Sequence, residues 1–115
     1  MMRIKWALTL LICWTVLVEK PIRVIDGDTF VTEVAIWHNL RAVERVRLFD
    51  VDAYEMKKDT LVRGTLAKNF TSAWLARGPF TLATCYTDAF GRILATVKRG
   101  DEDLAVELKK AGHAK

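Results

Sequence analysis

The chain has 115 residues, about half of them apolar, which fits one domain with a single modest hydrophobic core. Its formal net charge of +4 favours a polyanionic partner such as nucleic acid, although this signal alone is weak. The two cysteines, Cys13 and Cys85, form no CxxC pair, so the sequence indicates neither a zinc site nor a disulfide framework. We expect Cys85 to be a buried strand residue.

The N-terminal segment differs from everything after it. Trp6 to Val18 carries no charge and follows a basic start, which is typical of a signal-peptide core and short for a membrane span. We therefore predict a signal peptide or membrane anchor over residues 1–19 and a domain over residues 20–115. Cleavage would give a secreted or periplasmic protein beginning near residues 18 to 22, and retention would leave a membrane contact through residues 1–18. A hydrophobic first strand or helix packed on the domain is the alternative.

From Lys20 onward the pattern predicts the element order β-β-β-α-β-β-α. The predicted strands are "PIRVI", "TFVTEVAIW", "VERVRLFDV", "FTLATCY" and "RILATV". In the third strand, alternation directs Val46 and Leu48 to the core and Arg45 and Arg47 to the other side. "HNLRA" is predicted to be a polar loop and "MKKDTLVRG" a mobile charged loop.

Two helices complete the predicted fold. In "TLAKNFTSAWLARG" the apolar residues Leu66, Phe70, Ala73 and Trp74 recur at helical spacing and are expected to face the core, and Gly78-Pro79 ends the helix. "DEDLAVELKKAG" is the closing helix, with acids first and lysines last. This order suits a mainly β, α+β domain, a five-stranded barrel of the OB type with the first helix between strands three and four.

The segment "VIDGDTF", residues 24–30, permits two interpretations. Asp26-Gly27 between two β-rich runs is typical of a hairpin turn, because glycine adopts a positive φ without a Cβ clash. Asp26 and Asp28 flank that glycine, however, and their mutual repulsion calls for a cation or for hydrogen-bond donors. From these residues alone, the plain turn is the favoured interpretation.

Elimination removes several kinds of chemistry. Ser72 is the only serine and lies in the predicted helix, which argues against a serine nucleophile. His38 and His113 lack metal-ligand spacing, although a pair of Cys85 with His113 stays open. No glycine-rich phosphate loop opens a helix, so binding of nucleoside triphosphates or dinucleotides is unsupported.

A set of acids and arginines at strand ends remains. "RLFDVDAYE" places Arg47, Asp50, Asp52 and Glu55 within nine residues, and "DAFGR" adds Arg92 at the next hairpin. Carboxylates that hold a hard cation, together with arginines that neutralise a phosphoryl group, suggest phosphate chemistry. Ordinary surface ion pairs are the alternative, because charged residues make up 28% of the chain.

The motifs "VIDGDT", "VRLFDVDAYE", "TDAFGR" and "LAVELKKAGHAK", in this order, resemble those of the staphylococcal nuclease (thermonuclease-like) family. The resemblance covers Lys20 to Lys115. It implies an OB barrel and a calcium-dependent nuclease that hydrolyses DNA and RNA and leaves 3′-phosphate ends. The sequence gives no sign of an obligate protein partner.

The resemblance also implies a metal site. It makes the "DGD" turn a Ca²⁺ site in which Asp28 is a direct ligand and Asp26 is a nearby acid behind the ligands. Asp52 would be the second carboxylate ligand, and the backbone carbonyl of Ala53 would fill another position. The two lysines that follow, Lys57 and Lys58, are expected to lie in a solvated loop rather than to contact the nucleic-acid backbone.

The catalytic groups implied by the resemblance are Glu55, Arg47 and Arg92. Glu55 would act as general base or would position the attacking water, and the arginines would contact the scissile phosphate. The chain departs from the family at Tyr54, where a proline is usual, and at Phe90 and Ala89, where a tyrosine and a lysine are frequent. The alternative is a non-catalytic OB domain that binds nucleic acid, or, less favoured, a small membrane-attached interaction module.

Overall fold

The computed structural model describes residues 13–115 and shows a curled sheet with two helices. The strands within that range are β1 Trp14–Val18, β2 Arg23–Asp26, β3 Thr29–Trp37, β4 Leu40–Leu48, β5 Phe80–Thr87, β6 Ile93–Arg99 and β7 Glu102–Asp103. Helix α1 spans Leu61–Ala76, directly after a 3₁₀ turn at Lys58–Thr60, and helix α2 spans Leu104–Lys110.

The strands are ordered β1-β5-β6-β4-β3-β2, and β7 pairs with β6. Every pairing is antiparallel except that of β4 with β6, which is parallel. β1 and β2 follow each other in the chain but lie at opposite ends of this order, and counted as one bent strand they give five main strands beside the short β7. Five strands counted in this way form a barrel of the OB type, and the predicted fold class is confirmed.

The hydrophobic core lies inside the barrel and beneath helix α1. Phe30 and Phe80 are buried there and meet edge to face, with ring centroids 5.9 Å apart. Val46 and Leu48 are buried in the same core, whereas Arg45, directly before Val46, is exposed and Arg47, between the two, is half-buried. This confirms the alternation predicted for β4, and it fixes Arg47 on the outer side of the strand end.

Helix α1 buries a different face from the one predicted. Leu66 and Ala73 are exposed, Phe70 is half-buried, and only Trp74 of the predicted stripe is fully buried. The buried residues of the helix are Gly64, Ala67, Thr71, Trp74 and Leu75. Small residues belong to this face because the helix backbone lies directly against the neighbouring chain, an approach that apolar periodicity does not report.

Both predicted loops are shorter in the structure. "HNLRA" contributes only the two-residue turn His38–Asn39, in which His38 has a φ of 40°, and β4 already begins at Leu40. "MKKDTLVRG" folds into the 3₁₀ turn and the first turn of α1. The predicted end of the first helix is correct, since α1 stops two residues before Gly78.

The N-terminal strand is tied to the barrel. Trp14–Val18 pairs with β5 along its whole length, and Val18 is buried in the core. Cys13 forms a disulfide with Cys85, which is exposed on β5, so the expectation of a buried, unpaired Cys85 is wrong. The cause is the β1–β5 register, which places the two cysteines opposite each other. Residues 1–12 of the predicted leader lie outside the described residues, and no helix between residues 13 and 115 is both long and apolar enough to span a membrane.

Candidate active site

The Asp-Gly-Asp segment is a tight turn between β2 and β3. Gly27 does not have a positive φ, so the reason expected for glycine at this position is wrong. Glycine is needed because a Cβ there would lie 2.8 Å from the Cβ of Ala67 and 3.0 Å from that of Ala53. The Thr71 hydroxyl also donates a 2.5 Å hydrogen bond to the Gly27 carbonyl. Helix α1 therefore holds the turn in place.

Asp28 is buried beneath this turn, with 4% of its surface exposed. Its Oδ1 accepts a hydrogen bond from the Thr29 hydroxyl at 3.0 Å, and its Oδ2 accepts one from the Ala53 N–H at 2.9 Å. Burial raises the pKa of Asp28, because the loss of hydration outweighs the Arg47 guanidinium and these hydrogen bonds, which lower it. Repulsion from Asp26 adds to the increase.

Arg47 lies between two carboxylates at the end of β4. Its Nη1 is 3.3 Å from Asp28 Oδ2, and its Nη2 is 3.6 Å from Asp52 Oδ1. The same Nη1 donates hydrogen bonds to the carbonyls of Leu48 at 3.0 Å and Val51 at 2.7 Å. The guanidinium is therefore positioned by the backbone as well as by charge, and Asp28 and Asp52 are brought to the same place.

The segment after Asp52 is fixed by backbone hydrogen bonds at successive positions. Ala53 is bound to Asp28, the Tyr54 N–H donates to the His113 carbonyl at 3.1 Å, and the Met56 N–H donates to Asp26 Oδ1 at 3.1 Å. The two acids of the turn thus hold both ends of the segment that carries Glu55. A proline at Tyr54 is not required for rigidity here, and it would remove the hydrogen bond to His113.

Glu55 is placed by a close approach of helix α1. A Cβ at Gly64 would lie 2.1 Å from the Glu55 carbonyl oxygen and 2.5 Å from its carbon, so only glycine fits there. The Thr60 hydroxyl and the Lys57 N–H both donate to that carbonyl, each at 2.9 Å. The carboxylate itself is partly exposed, and its Oε2 lies 3.3 Å from the Lys57 ammonium.

Arg92 is held by Asp88, a residue that the sequence analysis did not single out. Arg92 Nε donates to Asp88 Oδ2 at 2.7 Å, while Asp88 Oδ1 accepts from the N–H groups of Phe90 and Arg92 at 2.9 Å each. The cost of desolvation would raise the pKa of Asp88, but these hydrogen bonds and the Arg92 charge outweigh it and lower the pKa. The guanidinium also lies 5.5 Å from the ring centroid of Phe90, which serves as a platform without a hydroxyl.

One cleft of about 710 Å³ brings most of these groups together. Its charged lining residues are Arg47, Arg92, Lys109, Lys115, Asp50, Asp52 and Asp88. Asp28 does not line this cleft itself, but it contacts Arg47, which does. Glu55 does not line the cleft either. Lys115 Nζ is 3.7 Å from Asp52 Oδ2, so the C-terminal lysine joins the site.

Two of the residues that the sequence analysis missed left a recognisable signal. Asp88 lies four residues before Arg92, at the start of a turn that contains glycine. An aspartate at such a position often accepts hydrogen bonds from backbone N–H groups of its own turn. Gly64 is an isolated glycine inside a helix, which usually has a packing reason. Lys109 and Lys115 gave no such signal, because their place in the cleft depends on how α2 docks.

The implied calcium site fits the chemistry of the residues present, in part. Within residues 13–115 no three His, Cys, Asp or Glu side chains form a cluster that could hold a metal by themselves. Two carboxylates do converge, since Asp28 and Asp52 both lie within 3.6 Å of one guanidinium. Oxygen donors of this kind suit a hard cation, which also accepts backbone carbonyls and water.

The fold and the site define an OB-type β domain in which an acidic turn and two positioned arginines lie around one cleft. The family described as "Staphylococcal nuclease homologue" matches residues 45–115. The thermonuclease of Staphylococcus intermedius is 40% identical over 98 residues, which cover 81% of this chain and 55% of that protein. The chain therefore belongs to the staphylococcal nuclease family, and it spans about half the length of this relative.

Proposed function

We propose that the domain is a calcium-dependent nuclease that hydrolyses phosphodiester bonds of DNA and RNA. The observation that carries the proposal is the contact of Arg47 with both Asp28 and Asp52 in the cleft that Arg92 also lines. Family membership and the thermonuclease relative support it. The substrates and the cation are inferred for this chain from the chemistry of the cleft.

The two arginines would bind and orient the scissile phosphate. Arg47 is preorganised by two backbone carbonyls and Arg92 by Asp88, so neither must be ordered when substrate arrives. Their planar forks suit phosphate oxygens, and they would counter the charge that develops there in the transition state. Asp28 and Asp52 would hold Ca²⁺, which when bound supplies further positive charge at the phosphate and lowers the pKa of a coordinated water.

Glu55 would act on the attacking water, as general base or by positioning it. The water oxygen would form the new bond to phosphorus while the bond from phosphorus to the 5′ oxygen breaks, leaving a 3′-phosphate. Glu55 lies on the segment whose ends are bound to Asp26 and Asp28, so the turn that would hold the cation also positions the base. Its partly exposed carboxylate leaves room for water.

A non-catalytic domain that binds nucleic acid is the competing function. The carboxylates argue against it, because Asp28, Asp52 and Glu55 would repel a phosphate backbone unless a cation intervenes. A binder also has no use for a glutamate fixed against a helix glycine. The acidic set is therefore better explained by hydrolysis.

Cleavage of supercoiled plasmid and of RNA, with Ca²⁺ and with EDTA, tests the proposal. We expect cleavage with Ca²⁺ only, and a loss on the order of 10²-fold or more in rate for Glu55→Gln and for Arg92→Ala, with binding largely retained. Glu33→Gln on the exposed face of β3 is the matched control and should cleave normally. Wild-type protein that binds DNA or RNA but never cleaves it between pH 7 and 10 would leave only the binding function.

The predicted location also stays a proposal, namely that the protein acts outside the cytosol, secreted or periplasmic. The Cys13–Cys85 disulfide supports it, because such bonds persist in oxidising compartments and are rare in the cytosol. Membrane attachment through the N-terminal segment is the other possibility, and fractionation of cells that express the full chain separates the two.

A further inference from the structure

A second, open depression of about 390 Å³ lies beside the cleft. It is lined by Arg45, Phe90 and Arg92, and we call it the Arg45 depression. Phe90 and Arg92 line the cleft as well, whereas Arg45 does not. The Arg45 depression therefore continues the cleft past the Phe90 ring toward the outer face of β4.

Strand pairing brings the two arginines of this depression together. Val46 on β4 is the register partner of Ile93 on β6, and these two strands run parallel. Arg45 and Arg92 directly precede this pair, so they enter the sheet side by side. Two guanidinium groups in one depression repel each other, and an anion bound between them would relieve that repulsion.

Arg45 is held in place and still has donors for a ligand. Its Nη2 donates a 3.1 Å hydrogen bond to the Phe90 carbonyl, and its Nε and Nη1 donate to no residue between 13 and 115. No carboxylate of the same range lies within ion-pair distance of the Arg45 guanidinium. The bond from Arg92 to Asp88 uses Nε, so the terminal nitrogens of Arg92 can face the same ligand.

We propose that Arg45 binds a second phosphate of the substrate strand, next to the scissile phosphate that Arg47 and Arg92 would hold. The inference rests on the proposed function. Arg45 and Arg47 lie two residues apart on the same side of β4, so they are about 7 Å apart along the strand. Successive phosphates of a nucleic-acid strand are separated by a similar distance. One strand can therefore place neighbouring phosphates on both arginines.

The subsite selects for the length of the substrate and not for its base sequence. Of the three side chains that line the Arg45 depression, only the two arginines carry donors, and Phe90 is apolar. Contacts from arginine to phosphate position a strand but carry no sequence information. A substrate therefore gains affinity when it extends by one more phosphate toward Arg45, whichever base that nucleotide carries.

The first test measures binding of a fluorescein-labelled single-stranded oligonucleotide by anisotropy in EDTA at several salt concentrations. Arg45→Ala should weaken binding about fivefold at low salt. It should also reduce the salt dependence, the slope of log affinity against log salt, by about 0.7, the value for one phosphate contact on a single strand. Arg45→Lys keeps the charge and should restore most of that slope. Arg41→Ala is the matched control, because it removes the same charge from the same face of β4, but Arg41 lies 3.9 Å from Glu33.

A trinucleotide, which has two phosphates, tests the contact itself. Replacement of one phosphate by an uncharged methylphosphonate should weaken binding to wild type about fivefold. The same replacement should weaken binding to Arg45→Ala little further, because the lost phosphate charge and the lost guanidinium belong to the same interaction. Equal losses in Arg45→Ala and Arg41→Ala, or an Arg45→Ala variant as sensitive to the methylphosphonate as wild type, would refute the subsite.

Cleavage in Ca²⁺ separates this inference from the proposed function. A dinucleotide has a single phosphate, so the ratio of kcat/KM for the trinucleotide to kcat/KM for the dinucleotide reports the second phosphate. That ratio should fall about fivefold in Arg45→Ala and stay unchanged in Arg41→Ala. Binding that depends on Arg45 without any cleavage would keep the subsite and reject the nuclease. Cleavage with an unchanged ratio in Arg45→Ala would keep the nuclease and reject the subsite.

Discussion

Arg47 Nη1 lies 3.3 Å from Asp28 Oδ2 while it also donates to two backbone carbonyls, so this ion pair is fixed before any substrate arrives. Removal of the arginine would leave a buried carboxylate without its main compensating charge. We expect Arg47→Ala to destabilise the domain by about 3 to 5 kcal/mol, as is typical when one partner of a buried pair is removed. Urea unfolding measures this, and Arg45→Ala on the exposed side of the same strand should have little effect.

Asp28→Asn should separate the role of the Asp28 carboxylate in Ca²⁺ binding from its effect on folding stability. The pKa of Asp28 is raised in the folded state, so the ionised carboxylate destabilises folding at pH values above its unfolded value of 3.8. Asparagine lacks that cost, and the metal-free variant should therefore unfold no more easily than wild type at pH 7. Its Ca²⁺ affinity should fall by more than the roughly 10- to 100-fold caused by loss of a group behind the ligands.

Calorimetry with Ca²⁺ and thermal unfolding check the two halves of this prediction. Asp50→Asn is the matched control, because its carboxylate lines the same cleft but is largely exposed and faces Lys109. Unchanged Ca²⁺ affinity in Asp28→Asn would remove Asp28 from the site. Equal losses in both variants would show that only the net charge of the cleft matters.

Gly64→Ala should disturb both stability and catalysis through one contact. The added Cβ would lie 2.1 Å from the Glu55 carbonyl oxygen, so helix α1 or the Glu55 segment must move. Such overpacking costs about 1 to 3 kcal/mol, and it displaces the glutamate that would act on water. Asn69→Ala introduces the same residue on the exposed face of the helix and should be neutral or slightly stabilising. Wild-type cleavage rates in Gly64→Ala would show that the position of Glu55 does not depend on α1.

The alternating pattern of β4 predicted its buried and exposed residues correctly. Strand side chains alternate strictly, so Val46 and Leu48 could be assigned to the core from sequence alone. The buried face of helix α1 was predicted wrongly from its apolar spacing. The packing of this helix is set by close contacts of neighbouring chain at Gly64 and Gly27 rather than by its largest apolar side chains. Hydrophobic periodicity carries no information about such approaches.

The candidate site shows a similar division. Family resemblance supplied Arg47, Asp28 and Asp52, and the structure places each of the two carboxylates within ion-pair distance of Arg47. The hydrogen bond from Arg92 to Asp88 and the Cys13–Cys85 disulfide were not predicted. The first depends on a turn geometry and the second on a strand register, and both form only in the folded chain. Whether Glu55 acts as base or positions water also depends on distances that sequence does not contain.

Asp88→Asn should loosen Arg92 without unfolding the hairpin. An amide oxygen can still accept from the backbone N–H groups of Phe90 and Arg92, but the charge that holds the guanidinium at 2.7 Å is lost. We expect about a tenfold lower cleavage rate, since charge-assisted hydrogen bonds are roughly twice as strong as neutral ones and positioning errors are costly. Asp101→Asn, in the exposed turn between β6 and β7, is the control. Equal rates in both variants would leave Arg92 positioned by Phe90 alone.

Acid should weaken the link between α1 and β7 through Glu102. Hydrogen bonds from Arg77 and from the Trp74 indole, which donates at 2.8 Å, lower the pKa of Glu102 from its ordinary value of 4.5. Its contribution to stability is therefore present above pH 4.5 and is lost as the pH falls through the lower folded value. Urea midpoints of wild type and Glu102→Gln should differ at pH 7 and converge near pH 3. A difference that stays constant with pH would show that the carboxylate charge contributes nothing.

The Cys13–Cys85 disulfide makes a prediction about both stability and the mature N-terminus. The bond closes a loop with a sequence separation of 72, so its loss in Cys85→Ser should cost about 4 kcal/mol in the chain-entropy account. Reductant should lower the Tm of wild type to that of the variant and leave the variant unchanged.

Cleavage of a leader near residues 18 to 22 would remove Cys13 and β1, whose Val18 is buried in the core. We therefore expect the mature chain to keep Cys13, and N-terminal sequencing of exported protein that begins after Cys13, yet unfolds like the intact domain, would show that β1 is dispensable.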